Sequence, residues 1–146
     1  MRARPHVIAL IDGVFESQPS VWHQELRAAL ADGVHVLGAS SMGALRAVEL
    51  APFGMVGVGE VFEAYAAGRF VDDADVALLH ADAEHGYRPL TVPLVNVVAQ
   101  AEHAVGLGLL RDDEAAALVE TARSIHYKDR HWPGVIDAIG WEPARR

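Results

Sequence analysis

Residues 34–50 read VHVLGASSMGALRAVEL, and this stretch decides the fold. Its opening, residues 34–39, is an apolar run of the length of one buried strand. Its last part, residues 42–50, carries apolar side chains at helical spacing and ends ahead of Pro52, which disfavours a helical residue before it. Only Ser40 and Ser41 lie between, so a strand runs straight into a helix. The same alternation precedes it. Residues 6–11 (HVIALI) form an apolar run closed by Asp12-Gly13, which predicts a strand followed by a loop. Ser20 stands where an N-cap would start a helix over 21–32, carried by Val21, Leu26, Ala29 and Leu30, with Gly33 as its stop. Strand, helix, strand, helix with short connections predicts a parallel sheet covered on both faces.

Downstream, Gly54, Gly57 and Gly59 read as a compact loop entering a helix over 60–68, with Val61, Phe62 and Tyr65 as its apolar positions and Gly68 as its stop. Asp72, Asp73 and Asp75 crowd the next turn. Residues 76–80 (VALLH) read as a third strand, and Gly86 and Pro89 bound a return strand, which together predict an edge hairpin. Thr91 is the expected cap of a helix over 92–106. Asp112 is the expected cap of another over 113–126, with Asp113 and Glu114 at its positive end. A short helix follows Trp132, and Pro143-Ala144-Arg145-Arg146 reads as a frayed tail. The expected class is α/β: a three-layer, Rossmann-like fold with a mostly parallel sheet, a short edge hairpin and C-terminal helices. The 146 residues are read as a single domain, 1–146, with its core at about 7–135.

Composition narrows the function. At 51% hydrophobic residues the chain is too apolar for a disordered tail. A net charge of -8 lacks the basic footprint of a nucleic-acid binder. The chain has no cysteine, which excludes disulfides, thiolate metal sites and any thiol or persulfide chemistry of its own. The apolar run at 7–11 is too short for a signal sequence or a membrane span, so a cytoplasmic protein without a membrane partner is expected.

Chemistry concentrates at residues 38–43. Ala39-x-Ser41-x-Gly43 approaches the nucleophile elbow G-x-S-x-G, in which small neighbours let the chain turn sharply and expose the serine. The amides of Gly13 and Met42, with Ser40 and Gly43 beside them, would then hold an oxyanion or another anion at a helix start. Many strand-to-helix turns are rich in Gly, Ala and Ser for packing alone, and an anion-binding loop without chemistry has the same signature. Gly43 is followed by Ala44-Leu45, so no Walker A motif is present, and Gly54, Gly57 and Gly59 do not match a dinucleotide fingerprint.

Partners for Ser41 must come from the carboxyl edge of the sheet. Asp12, His23 and His80 are the candidates for base and orienting acid, with Arg46 as a cationic partner for a carboxylate or phosphate. Each has a structural alternative. Asp12 caps a turn, His23 bonds a backbone group, and Glu49 forms an ion pair with Arg46. The remaining histidines show no metal-ligand spacing, and the Asp72, Asp73, Asp75 run reads first as a solvated turn, so no metal is assigned.

The segment GASSMGALRAVELAPFGMVGVGEVFEAYAAGRFVDDADVALLH, with VWHQEL before it and YRPLTVPLVN and YKDRHW after it, resembles the core of TfuA-like proteins over about residues 7–135. The family-like positions include His23, Glu25, Ser41, Met42, Gly43, Arg46, Glu49, Asp73, Asp75, His80, Asn96, Arg130 and Trp132. Ala74 interrupts the acidic run expected there. The resemblance implies an accessory role beside a YcaO enzyme, which activates a backbone amide with ATP so that sulfur can enter and form a thioamide. Two roles follow from it. The chain hydrolyses the C-terminal thiocarboxylate of a sulfur-carrier protein, with Ser41 as nucleophile, His23 or His80 as base, Asp12 orienting it, Arg46 balancing charge, and Glu49 and Asp73 in support. Alternatively it is a non-catalytic adapter that docks on YcaO and recruits the sulfur donor or activates the enzyme. Neither role calls for a cofactor. Without a thiol, the chain cannot itself carry sulfur as a persulfide.

Overall fold

The computed structural model describes residues 5–13 and 20–141. The tail expected at 143–146 lies outside the described residues. The chain divides into two compact units, Met1–Asp73 and Ala74–Arg146.

The first unit is the βα half. It contains β1 (Val7–Ile11), α1 (His23–Ala31), β2 (His35–Ala39), α2 (Ser40–Leu50), β3 (Val56–Val58) and α3 (Glu60–Ala66). The strands form one parallel sheet in the order β1-β2-β3. The register pairs Val7 with His35 and Ile11 with Ala39, then Leu37 with Val56 and Ala39 with Val58. β1, β2 and α2 lie where the sequence puts them. β3 does not: it sits inside the stretch read as a glycine loop. Three residues centred on Gly57 are too short for an apolar run, and only pairing with β2 defines them as a strand.

The helices all lie on one face. Ile8, Leu10 and Val36 point into a core with Leu26 of α1, Ala47 and Leu50 of α2, Met55 just before β3, and Phe62 of α3. The alternate positions face the other way, and Val7, Ile11, Val56 and Val58 are all about half exposed or more. Among the described residues of this unit, the helices form one layer on the sheet. The strand order explains it. Right-handed crossovers cover both faces only where the strand order reverses, and 1-2-3 has no reversal.

The second unit is helical. It contains α4 (Leu94–Gly106), α5 (Asp112–Ser124) and α6 (Trp132–Ile139). Leu94, Val97, Ala101, Leu118, Ala122 and Val135 are among its buried apolar residues. The strand expected at 76–80 is not formed. Val76 and Ala77 are buried, so the apolar run is real, but among the described residues it forms one antiparallel bridge, between His80 and Pro89, with the Leu90 amide donating to the Leu79 carbonyl beside it at 2.8 Å. The hairpin is thus reduced to one bridge.

Three caps differ from expectation. Thr91 does not cap α4; its Oγ1 accepts from the Leu79 amide at 2.7 Å, and Pro93 takes the N-cap position. Arg111 precedes α5, where its amide donates to the Glu114 carboxylate at 2.9 Å, so Asp112 is already the first helical residue. Ser20 does not cap α1. The helix starts at His23, and the Glu25 carboxylate accepts the Trp22 amide at 3.1 Å.

Candidate functional site

The carboxyl edge of β1 and β2 is built by close backbone contact. The Asp12 amide donates to the Ala39 carbonyl at 3.1 Å, carrying the ladder one residue past the strands. A Cβ on Gly43 would lie 2.1 Å from the Leu10 carbonyl oxygen, and one on Gly13 would lie 2.5 Å from the Met42 Cβ. The small residues of the elbow-like motif are therefore required by packing: α2 begins against the end of β1. Asp12 and Ser40, each one residue past the end of one of two adjacent strands, both have left-handed φ, 63° and 60°. For a residue with a Cβ this conformation costs about 1–2 kcal/mol. Ser41 follows with non-helical φ -8° and ψ -113° before regular helix begins. Asp12 Oδ1 accepts the Gly13 amide at 2.8 Å, so the turn-capping role weighed for Asp12 is present. Asp12, Gly13, Ser40, Ser41, Met42 and Gly43 thus meet at one edge. Ser40 and Asp12 are exposed, Ser41 half-buried, and Met42 and Gly43 buried.

A second group lies between α1 and α2. Arg46 is buried, 9% exposed, and each nitrogen of its guanidinium donates a hydrogen bond. Nη1 donates to Glu49 Oε2 at 2.6 Å, Nη2 to Ser20 Oγ at 3.0 Å, and Nε to the Val21 carbonyl at 3.2 Å. The ion pair weighed for Arg46 and Glu49 is present. Glu49 Oε2 also meets His23 Nε2 at 2.7 Å. The arrangement ties the segment leading into α1 to the face of α2. A pocket of about 310 Å³ is lined by Ser20, Trp22, His23 and Arg46 among others.

The two groups are distinct. Ser41 and Glu49 are eight residues apart on α2, a rise of about 12 Å. His23 Nε2 is bonded to Glu49 rather than to Ser41. Glu49, not Asp12, is the acid that orients this histidine. Ser20 is the residue that sequence reasoning assigned elsewhere: it serves Arg46 instead of capping a helix. No local signal marks a contact spanning 26 residues.

The other candidates belong to other surroundings. His80 is in the second unit, where its Nδ1 lies 2.8 Å from the Ala81 carbonyl and its ring meets Tyr87 edge-on. Asp73 is exposed in a 3-10 turn, Asp73–Asp75, while Asp75 is buried. Arg130, 4% exposed, feels the Asp75 charge; burial pushes its pKa down, the Asp75 charge opposes this, and Arg123 adds to the lowering. Its Nε donates to the Ala122 carbonyl at 2.8 Å and its Nη2 to the Ile125 carbonyl at 3.0 Å. It thereby closes the carboxyl end of α5, whose last carbonyls have no helical partner. Among the described residues, no three His, Asp or Glu side chains gather as a metal site, and no helix is long and apolar enough to cross a membrane.

A short parallel βα sheet with a Gly- and Ser-rich strand-to-helix junction defines an α/β protein with a candidate anion-binding edge. The profile of the family described as TfuA-like protein matches residues 12–131, most of the chain, and the chain belongs to that family. The family is linked to YcaO-associated thioamidation. No curated protein matches the chain.

Proposed function

We propose that the chain supplies sulfide to YcaO-dependent backbone thioamidation by hydrolysing the C-terminal thiocarboxylate of a sulfur-carrier protein. The observation that carries this reading is the meeting of Asp12–Gly13 with Ser40–Gly43 at one sheet edge, at the start of a helix. The amides of Gly13 and Met42 receive the negative oxygen that develops on the carbonyl. Ser41 Oγ attacks that carbon, hydrosulfide leaves with the electron pair of the C–S bond, and water then cleaves the ester. The sum is thiocarboxylate and water giving carboxylate, hydrosulfide and a proton. Asp12 lies at the same edge; it takes the proton of the attacking hydroxyl and passes it to the departing sulfur, so that hydrosulfide is released and the carboxylate can accept a proton from the water that cleaves the ester. Arg46 and Glu49 are positioning residues that hold α1 on α2.

Sulfide release from a thiocarboxylated carrier tests the reading. Ser41→Ala and Asp12→Asn are expected to lower the rate by about 10²-fold or more in folded protein. Full activity in Ser41→Ala overturns it.

The second reading is the adapter, favoured by one observation: His23 Nε2 is bonded to Glu49. YcaO turnover with saturating free sulfide separates the two. A rate gain that persists under sulfide identifies an adapter, and a gain that vanishes identifies a sulfide supplier.

A further inference from the structure

β1 stands at one edge of the sheet, because among the described residues only β2 pairs with it. The bonds of that ladder show which way its peptide groups turn. The His35 amide donates to the His6 carbonyl at 3.0 Å, and the Asp12 amide to the Ala39 carbonyl at 3.1 Å. Peptide groups alternate sides along a strand, so His6, Ile8, Leu10 and Asp12 turn theirs to β2. Val7, Ala9 and Ile11 turn theirs outward, a row of donors and acceptors about 13 Å long. Native edges are commonly blunted by a charge, a proline or a bulge. Residues 7–11, VIALI, carry none of these, and their register with β2 runs one to one. The other edge, β3, has 3 residues and stops at Gly59, whose φ is 90°.

The edge of β1 also has a direction. Past Ile11 the chain enters the junction where Asp12 and Gly13 meet Ser40–Gly43. An extended peptide added parallel to β1 brings its C-terminus to that junction. One added antiparallel ends instead beside Pro5 and His6, at the opposite end of the strand. Outward peptide groups in a row select an extended backbone, not a helix.

We propose that the outer edge of β1 takes the C-terminal tail of the sulfur-carrier protein as an added parallel strand. The choice of partner rests on the thiocarboxylate reading; the open edge and its direction do not. The tail lies extended when its last carbonyl arrives at the junction, and backbone pairing fixes both its extension and its register. About four or five tail residues cover Val7 to Ile11. Alternate side chains of the tail lie beside Val7 and Ile11, which are 53% and 68% exposed. Apolar or β-branched residues are favoured there. A second copy of this chain is a poorer occupant. A two-fold contact pairs β1 with β1 antiparallel and lays no C-terminal carbonyl at Asp12.

The test reads amide hydrogen exchange by NMR on the full chain, with the carrier in its unreactive carboxylate form. The carrier is expected to slow exchange at Val7, Ala9 and Ile11 about tenfold or more, and a carrier lacking roughly its last five residues to leave it unchanged. Sulfide release is then measured with the thiocarboxylated carrier. Ala9→Pro removes one outward N–H and no bond to β2, and is expected to raise KM about tenfold or more with kcat unchanged. Ala9→Val keeps that N–H and is expected to keep KM. Slow exchange of the Asp12 and His35 amides checks that Ala9→Pro retains its ladder, and the wild-type exchange experiment needs no variant. The proposal is overturned by absence of protection, by equal protection from the shortened carrier, or by an unchanged KM in folded Ala9→Pro. Protection that grows with the concentration of the free chain also overturns it, by assigning the edge to a second copy. Protection without sulfide release overturns the hydrolysis instead and supports the strand pairing.

Discussion

Arg46 is the residue on which the first unit most depends. Three of its donors satisfy a hydroxyl and a carbonyl on consecutive residues ahead of α1 and a carboxylate on α2. Arg46→Ala leaves those acceptors short of partners inside a packed interface. The expected cost is about 3 kcal/mol of stability, read by urea unfolding. Arg46→Lys does not restore it, because an ammonium cannot match the planar fork. The edge residues behave differently. Ser40→Gly removes the cost of left-handed φ and is expected to stabilise by up to about 1 kcal/mol, whereas Gly43→Ala drives a methyl into the Leu10 carbonyl and costs about 2 kcal/mol or more. A Tm series on these variants checks both signs. At this scale the sequence was partly legible. Arg46 and Glu49 are one turn apart on a helix, so their pairing could be read directly. The attachment of His23 and Ser20 to them could not, because it depends on how α1 crosses α2.

At the scale of elements, capping decides what single changes do. Arg130 reaches two carbonyls at the end of α5, and Arg130→Met is expected to cost about 2 kcal/mol, with hydrogen-exchange protection lost first from the last turn of that helix. The beginning of α5 carries a pH-dependent contribution. The hydrogen bond from Arg111 holds the Asp113 carboxyl below its ordinary range, burial opposing and the Arg111 charge assisting. A lowered folded-state pKa means that the stabilisation is fully present above the unfolded value of about 3.9. It is lost as pH falls through the lower folded value. Asp113→Asn is expected to flatten that part of an acid titration followed by exchange in α5, and to leave neutral pH almost unchanged, since the pair is exposed. Elements with long periodic patterns were readable, α2, α4 and α5 among them. Caps shifted by one or two residues because Ser20, Thr91 and Asp112 each sit near a competing neighbour.

For the molecule as a whole, the acidic balance and the α/β alternation could be read from the chain, while the count and placement of strands could not. VALLH is apolar because it is buried by packing, not because it joins a ladder. Val56-Gly57-Val58 joins the ladder with too little apolar sequence to announce it. The exposed face of the sheet has a measurable consequence. Ile11→Thr and Val58→Thr replace side chains that bury little and keep β-branched geometry, so stability is expected to stay within about 0.5 kcal/mol while binding of a hydrophobic dye falls. The order of the strands also bears on how the chain comes into being. Each strand pairs with the one made just before it, so no strand must later be threaded between two already paired. The sheet can grow outward one βα step at a time as the chain leaves the ribosome, and its contacts stay close in sequence, a property that favours fast folding. A 1-2-3 sheet is, in this sense, a fold that can be assembled in the order in which it is read.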